Sequence, residues 1–133
     1  MQQVGAKALI PRGGGYLFIQ RNNGNWDIPG GRLDLGETPR RALRRKLFAE
    51  TGLHLVMNPL PRLLVAQSIM PNSERQVIRL TYAAQATGNL VISHLEHTGE
   101  IACMPLEQAI VELQVDDALR ELAAELALNN IVL

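Results

Sequence analysis

One helix is marked at both ends in this sequence, and the rest of the chain has to be arranged around it. Gly36-Glu37-Thr38-Pro39 places a turn residue, a capping hydroxyl and a proline suited to the first helical position in succession. Gly52 is placed to end the helix, because glycine adopts the left-handed stop at little steric cost. The segment is therefore predicted to be helical from Thr38-Pro39 to about Thr51. Ala42, Leu43 and Leu47 recur at roughly helical spacing and are expected to face the core, with Phe48 beside that stripe.

Before the helix, the apolar run Val4 to Ile10, the turn "PRGGG" and the stretch "YLFIQR" read as a hairpin. The loop "NNGN" and then "WDIPGG" follow, with Pro29 fixing an extended approach and the glycines permitting close backbone approach to a ligand. After it, "RLLVAQSIM" and "RQVIRLTYAAQA" read as two strands around the turn "PNSE", and "NLVIS" as a further strand or an extension of the second. "IACM" reads as a short strand. Pro105 opens a helical stretch to about Leu113, and Asp116 or Asp117 starts a last helix rich in Ala, Leu and Glu. Strands, a helix, more strands and then helices imply an α/β fold, a sheet covered by helices. No repeat or linker interrupts the 133 residues, so a single domain over 1–133 is expected.

Composition narrows the function classes. Lys plus Arg and Asp plus Glu both number 13, so the overall charge steers the chain toward neither nucleic acid nor an anionic membrane. The basic run Arg40, Arg41, Arg44, Arg45, Lys46 opposes the helix dipole and reads as a solvated face rather than a nucleic-acid contact, since few aromatics accompany it. The start "MQQVGAKALI" lacks a basic segment followed by a long apolar stretch, and nowhere do about 18 apolar residues run together, so neither a signal peptide nor a membrane span is expected. With Cys103 as the sole cysteine, no intramolecular disulfide forms, and a reducing, cytoplasmic setting fits. Cys103 itself, in an apolar stretch, is expected to be a buried packing residue. His54, His94 and His97 do not fall at metal-ligand spacing, and Trp26 is expected to pack the core.

The segment "GGRLDLGETPRRALRRKLFAETGL", Gly30 to Leu53, resembles the signature of the Nudix hydrolase family, of which the MutT-like proteins are members. That signature runs G, five residues, E, seven residues, R-E, an apolar residue, any residue, E-E, any residue, G, apolar. Here Gly31, Glu37, Arg45, Leu47, Glu50, Gly52 and Leu53 match it. Lys46 and Ala49 stand where the family has two of its glutamates, so the box is degenerate. "WDIPGGRLDLGET" and "LEHTGEIACMPLEQA" extend the likeness before and after the box. The resemblance implies the Nudix fold, an α/β/α sandwich with a mixed central β-sheet. It also implies a structural role for Gly31, Glu37, Arg45 and Gly52, with Glu37 and Arg45 forming the ion pair that ties loop to helix.

The resemblance further implies a divalent metal, Mg²⁺ or Mn²⁺, held by oxygen ligands that neutralise phosphate charge and activate water. The ligands would be the carbonyl of Gly30 or Gly31 with Glu50 and Glu96, and Glu50 and Glu96 would be the catalytic residues. Glu100 competes with Glu96 for the role of late-loop acid. On a helix, Lys46, Ala49 and Glu50 share one face. The exchanges at 46 and 49 leave that face about three charge units more positive than the family pattern, which weakens its hold on cations. Arg44 or Lys46 could instead reach a phosphate, and Lys46 beside Glu50 would place positive charge where the metal normally sits. Two functions stay open. The first is metal-dependent hydrolysis of a nucleoside diphosphate linked to another group, with reduced activity. The alternative is a catalytically inactive nucleotide- or phosphate-binding, regulatory module on the same scaffold. Either takes a small-molecule nucleotide or other phosphoanhydride ligand, and a homodimer is among the states the resemblance implies.

Overall fold

The computed structural model describes residues 2–91 and 99–133. A long first strand, β1 (Gln2–Leu9), is followed by β2 (Pro11–Arg12), β3 (Gly15–Gln20), β4 (Trp26–Asp27) and β5 (Gly30–Arg32). Helix α1 (Pro39–Thr51) leads into β6 (His54–Leu55), the long hairpin β7 (Arg62–Asn72) and β8 (Arg75–Ala83), and the short β9 (Ala86–Thr87). Strand β10 (Ile101–Met104) and helices α2 (Leu106–Glu112) and α3 (Asp117–Leu128) complete the described chain.

The expected first hairpin is corrected. Only β2 turns back on β3, while β1 lies in another sheet, between β5, to which it is antiparallel, and β8, to which it is parallel. That sheet is mixed and runs β5-β1-β8-β7; a second runs β10-β3-β2 with β4 beside β3, and β6 pairs with β9. The parallel partnership of β1 and β8 joins residues far apart in sequence, which no turn signal announces. "RQVIRLTYAAQA" is likewise not one strand: β8 ends at Ala83, and Ala86–Thr87 pair with β6 instead. Asn89 to Val91 lie outside any strand, and the remainder of "NLVIS" falls outside the described residues.

Successive side chains of β1 point to opposite faces, and the two cores follow from that alternation. Ala6 and Ala8 pack with Leu43 and Leu47 of α1, Leu17, Leu53 and Tyr82. Leu9 packs on the other side with Phe18, Ile28, Leu106 of α2, and Leu119, Leu122 and Leu126 of α3. Helices thus cover both faces, giving the α/β/α arrangement. Each fully buried leucine contributes on the order of 2 kcal/mol through its apolar area.

Helix α1 begins and ends where its sequence requires. The Thr38 hydroxyl accepts from the Arg41 backbone N–H at 3.3 Å, and Gly52 stops the helix at φ 73°, its N–H donating to Phe48 O. Trp26 packs against the second core and Phe48 is exposed, with its ring 5.1 Å from that of His54. Cys103 is exposed rather than buried. Its neighbours Ala102 and Met104 take the inward positions of an edge strand, and beside Cys103, which pairs with Leu17, lies Gly13, which has no side chain to cover it.

Candidate functional site

An open cleft of about 900 Å³ lies along one face of the mixed sheet and wraps around its β5 edge toward α1. Its floor follows from strand alternation. Gly5 and Lys7 of β1 and Arg75, Val77 and Arg79 of β8 face it, at the end of the sheet that the apolar residues of α2 and α3 leave uncovered. Gly30 and Gly31 form the rim at β5. Gly30 has φ 126°, and a Cβ there would lie 2.1 Å from Ala6 O, so only glycine fits. At Gly31 a Cβ would meet Lys46 Cε at 2.6 Å; the absent side chain is what lets the lysine stem lie over the strand.

Glu50 comes from the last turn of α1 and is wholly buried. Its Oε1 accepts from the Gly30 N–H at 2.9 Å and its Oε2 from Arg21 Nη1. The Arg21 Nη2 also donates to Gly30 O at 3.3 Å, and Lys7 Nζ donates to the same carbonyl at 3.2 Å. Two cations therefore converge on the carbonyl expected to face a metal.

Behind them is a second charged cluster. Asp27 takes both Nη atoms of Arg79, at 2.8 and 3.2 Å, and Lys7 Nζ at 3.2 Å. Burial by itself would raise the Asp27 carboxyl, but the charges of Lys7 and Arg79 and the Arg79 hydrogen bonds outweigh it and hold Asp27 well below the usual carboxylate range. Burial lowers Lys7 to about 8, an effect only partly offset by Asp27 and reinforced by Arg21 and Arg79.

Glu37 and Arg45 meet as a two-point pair, Nε to Oε2 at 2.8 Å and Nη2 to Oε1 at 2.9 Å, and Arg45 also donates to Arg32 O at 3.0 Å. Glu37 further accepts from the Asp34 N–H at 2.8 Å. The Arg45 hydrogen bonds, then that of Asp34, lower Glu37 to about 2. The loop before α1 is thereby tied to the helix.

Lys46 lines the cleft, whereas Arg44 does not join it. Residues two apart on a helix project in nearly opposite directions, and Arg44 lies instead in a separate groove with Arg41, Phe48 and His54. Ala49 is exposed. Glu96, with His94 and His97, lies outside the described residues. Glu100, just before β10, accepts at its backbone oxygen from the Gln20 N–H at 3.2 Å.

Sequence reasoning did not single out Lys7, Arg21, Asp27 or Arg79. Lys7 and Arg79 do carry a signal: each is a cation flanked on both sides by apolar residues within a strand, and such a charge folds inward only with a partner.

A divalent ion such as Mg²⁺ asks for several oxygen donors converging on one point. The described donors do not meet that demand. The Glu50 carboxylate receives Arg21 and the Gly30 N–H, and Gly30 O receives Lys7 and Arg21. Among the described residues no three His, Cys, Asp or Glu gather as a metal group. The same arrangement suits an anion. The described lining carries seven cations, Lys7, Arg21, Arg32, Arg45, Lys46, Arg75 and Arg79, against Asp27, Asp34, Asp116 and Asp117. The Nε atoms of Arg75 and Arg79 are buried without an acceptor among the described residues.

Among the described residues no helix is long and apolar enough to cross a membrane. Known proteins place the chain in a family. It is 29% identical over 94 residues to a MutT-like protein of Streptomyces ambofaciens, a match spanning 70% of this chain and 57% of that relative. The structure superposes on a MutT protein from Methanosarcina mazei Go1 with a TM-score of 0.82 at 21% identity, covering 98% of this chain and 96% of the other. It also superposes on a MutT NUDIX hydrolase from Burkholderia pseudomallei with a TM-score of 0.76 at 25% identity, covering 90% and 94%. The family model for the NUDIX domain matches residues 1–127, and with the glycine-edged cleft and the Glu37–Arg45 tie this chain belongs to the Nudix family.

Proposed function

We propose that this chain binds a nucleoside diphosphate linked to another group, with the phosphoanhydride lying across the β5 rim, and that recognition rather than turnover is its role. The observation that carries the reading is the cation excess of the cleft's described lining, seven Lys and Arg against four Asp. Phosphate oxygens are the acceptors that guanidinium forks match best. Lys46, in place of a family glutamate, adds a further cation at the rim, and Ala49 removes an acid nearby.

The metal-dependent hydrolase is the second reading, and the burial of Glu50 at the cleft, beside the Gly30 loop, favours it. It requires Mg²⁺ or Mn²⁺ to gather Glu50, a Gly30 or Gly31 carbonyl and Glu96, and therefore requires Glu50 to give up Arg21. A panel of nucleoside triphosphates, nucleotide sugars, dinucleoside polyphosphates and ADP-ribose separates the two. Each is titrated calorimetrically and assayed for hydrolysis with Mg²⁺ or Mn²⁺, beside Glu50→Gln. Binding without turnover is expected. Turnover that disappears in Glu50→Gln overturns the binding-only reading and establishes the hydrolase.

A further inference from the structure

The misfit between Glu50 and a divalent ion has a specific cause in Arg21. Arg21 follows β3 directly, and its backbone is locked by a tight loop: its N–H donates to Asn25 O at 2.7 Å, and Gly24 N–H donates to Arg21 O at 2.9 Å. Gly24 takes φ 91°, and Gln20 Nε2 donates to its carbonyl at 3.2 Å. The loop therefore aims the Arg21 side chain instead of leaving it to wander. Its guanidinium spans two elements, giving one Nη to the Glu50 carboxylate of α1 and the other to Gly30 O of β5. Those are the two described oxygen donors that an ion at this point would have to bridge.

We infer that Arg21 is a built-in cation standing on Glu50 and the Gly30 carbonyl, so that the cleft takes phosphate without a divalent ion and such an ion must compete with Arg21 for its donors. The inference deepens the binding function proposed above by assigning its charge balance. A guanidinium stays protonated across the accessible pH range and presents a planar fork of N–H donors. It can neutralise Glu50 permanently. Arg21 also keeps 24% of its side chain exposed and lines the cleft, so the cation that neutralises Glu50 faces the ligand as well. Lys7, on the same carbonyl, adds positive charge immediately behind it.

Two measurements on the full chain test this. In the first, Mn²⁺ is titrated and followed by electron paramagnetic resonance, which needs no nucleotide. The wild type is expected to leave the free-ion signal unchanged, whereas Arg21→Gln takes up Mn²⁺ and Arg21→Gln combined with Glu50→Gln does not. Uptake by the wild type that Glu50→Gln abolishes overturns the inference. So does a folded Arg21→Gln protein that takes up none. If Arg21→Gln does not fold, the wild-type titration still decides, and Arg21→Lys, which keeps the charge, is expected to exclude Mn²⁺ as the wild type does. In the second measurement, inorganic pyrophosphate is titrated in the presence of EDTA. Binding is expected to persist, and to weaken about tenfold in Arg21→Gln. Binding by the wild type that appears only with added Mn²⁺ overturns the inference. Absence of binding by pyrophosphate and by the nucleotide panel under both conditions overturns the proposed function instead, with the Mn²⁺ titration deciding the role of Arg21.

Discussion

The wholly buried carboxylate of Glu50 receives the Arg21 guanidinium on one oxygen and the Gly30 N–H on the other. A residue that family likeness would spend on a metal is thus also a joint between three segments: the loop after β3, the glycine rim and helix α1. Removing one partner of a buried ion pair leaves the other charge poorly compensated, at a cost of about 3–5 kcal/mol. Arg21 retains partial exposure, so the loss should sit at the lower end of that range. Glu50→Gln is expected to destabilise the fold by about 3 kcal/mol in chemical denaturation. Combined with Arg21→Gln, it should cost less than the sum of the single changes, since the two residues share one interaction. Additive losses would show that the pair is not coupled.

Gly30 tests the same joint through the backbone. With φ 126° and Ala6 O lying 2.1 Å from the place a Cβ would take, alanine there meets β1 backbone that cannot move aside without breaking the sheet. Gly30→Ala is expected to cost about 3 kcal/mol or more and to lower the melting temperature sharply. Gly14 is the control. It also has positive φ, but a Cβ there meets nothing within 4 Å, so only the backbone strain of about 1 kcal/mol applies. Equal losses at the two positions would mean that close approach to Ala6 does not matter.

Much of what builds the rim was legible because it is local. Thr38, Pro39 and Gly52 bound α1 by backbone chemistry confined to one or two turns, and the spacing of Ala42, Leu43 and Leu47 named its buried face. The parallel pairing of β1 with β8 was not legible, because no short-range signal specifies which distant strand lies alongside. The site suffered from the same limit. Arg21 and Glu50 are 29 residues apart, and Arg79 and Asp27 are 52 apart, so their convergence is a product of topology. Cys103 shows the converse: an apolar neighbourhood in sequence suggested burial, but a place on an edge strand beside Gly13 leaves it exposed.

The Glu37–Arg45 tie gives a prediction in acid. Glu37 is lowered from an ordinary 4.5 to about 2, first by the Arg45 hydrogen bonds. Between those values the unfolded chain binds a proton that the folded chain refuses, so stability falls as pH falls through this window. The contribution is fully present above about 4.5 and gone below about 2. Glu37→Gln is therefore expected to flatten part of the acid limb of a stability profile measured by urea denaturation, while leaving its shape above pH 5 nearly unchanged. An acid limb equally steep in the variant would show that the tie is too well solvated to matter.

Lys7 gives the same slope in alkali, although here it is the charged form that the fold disfavours. Burial lowers it from 10.5 to about 8, against the pull of Asp27. Between those values the unfolded chain holds a proton that the folded chain has released, so this group alone makes stability rise with pH across that window. Wild type compared with Lys7→Met should show that rise as a growing difference between about pH 8 and 10.5, since methionine cannot titrate. The midpoint itself can be read from the pH dependence of amine labelling at Lys7. In Asp27→Asn the larger opposing charge is gone and only the weaker pull of Glu50 is left, while burial and the repulsion of Arg21 and Arg79 remain. The labelling midpoint is then expected to fall below 8. A midpoint near 10.5 in the wild type would mean that the attraction of Asp27 offsets the burial of Nζ in full.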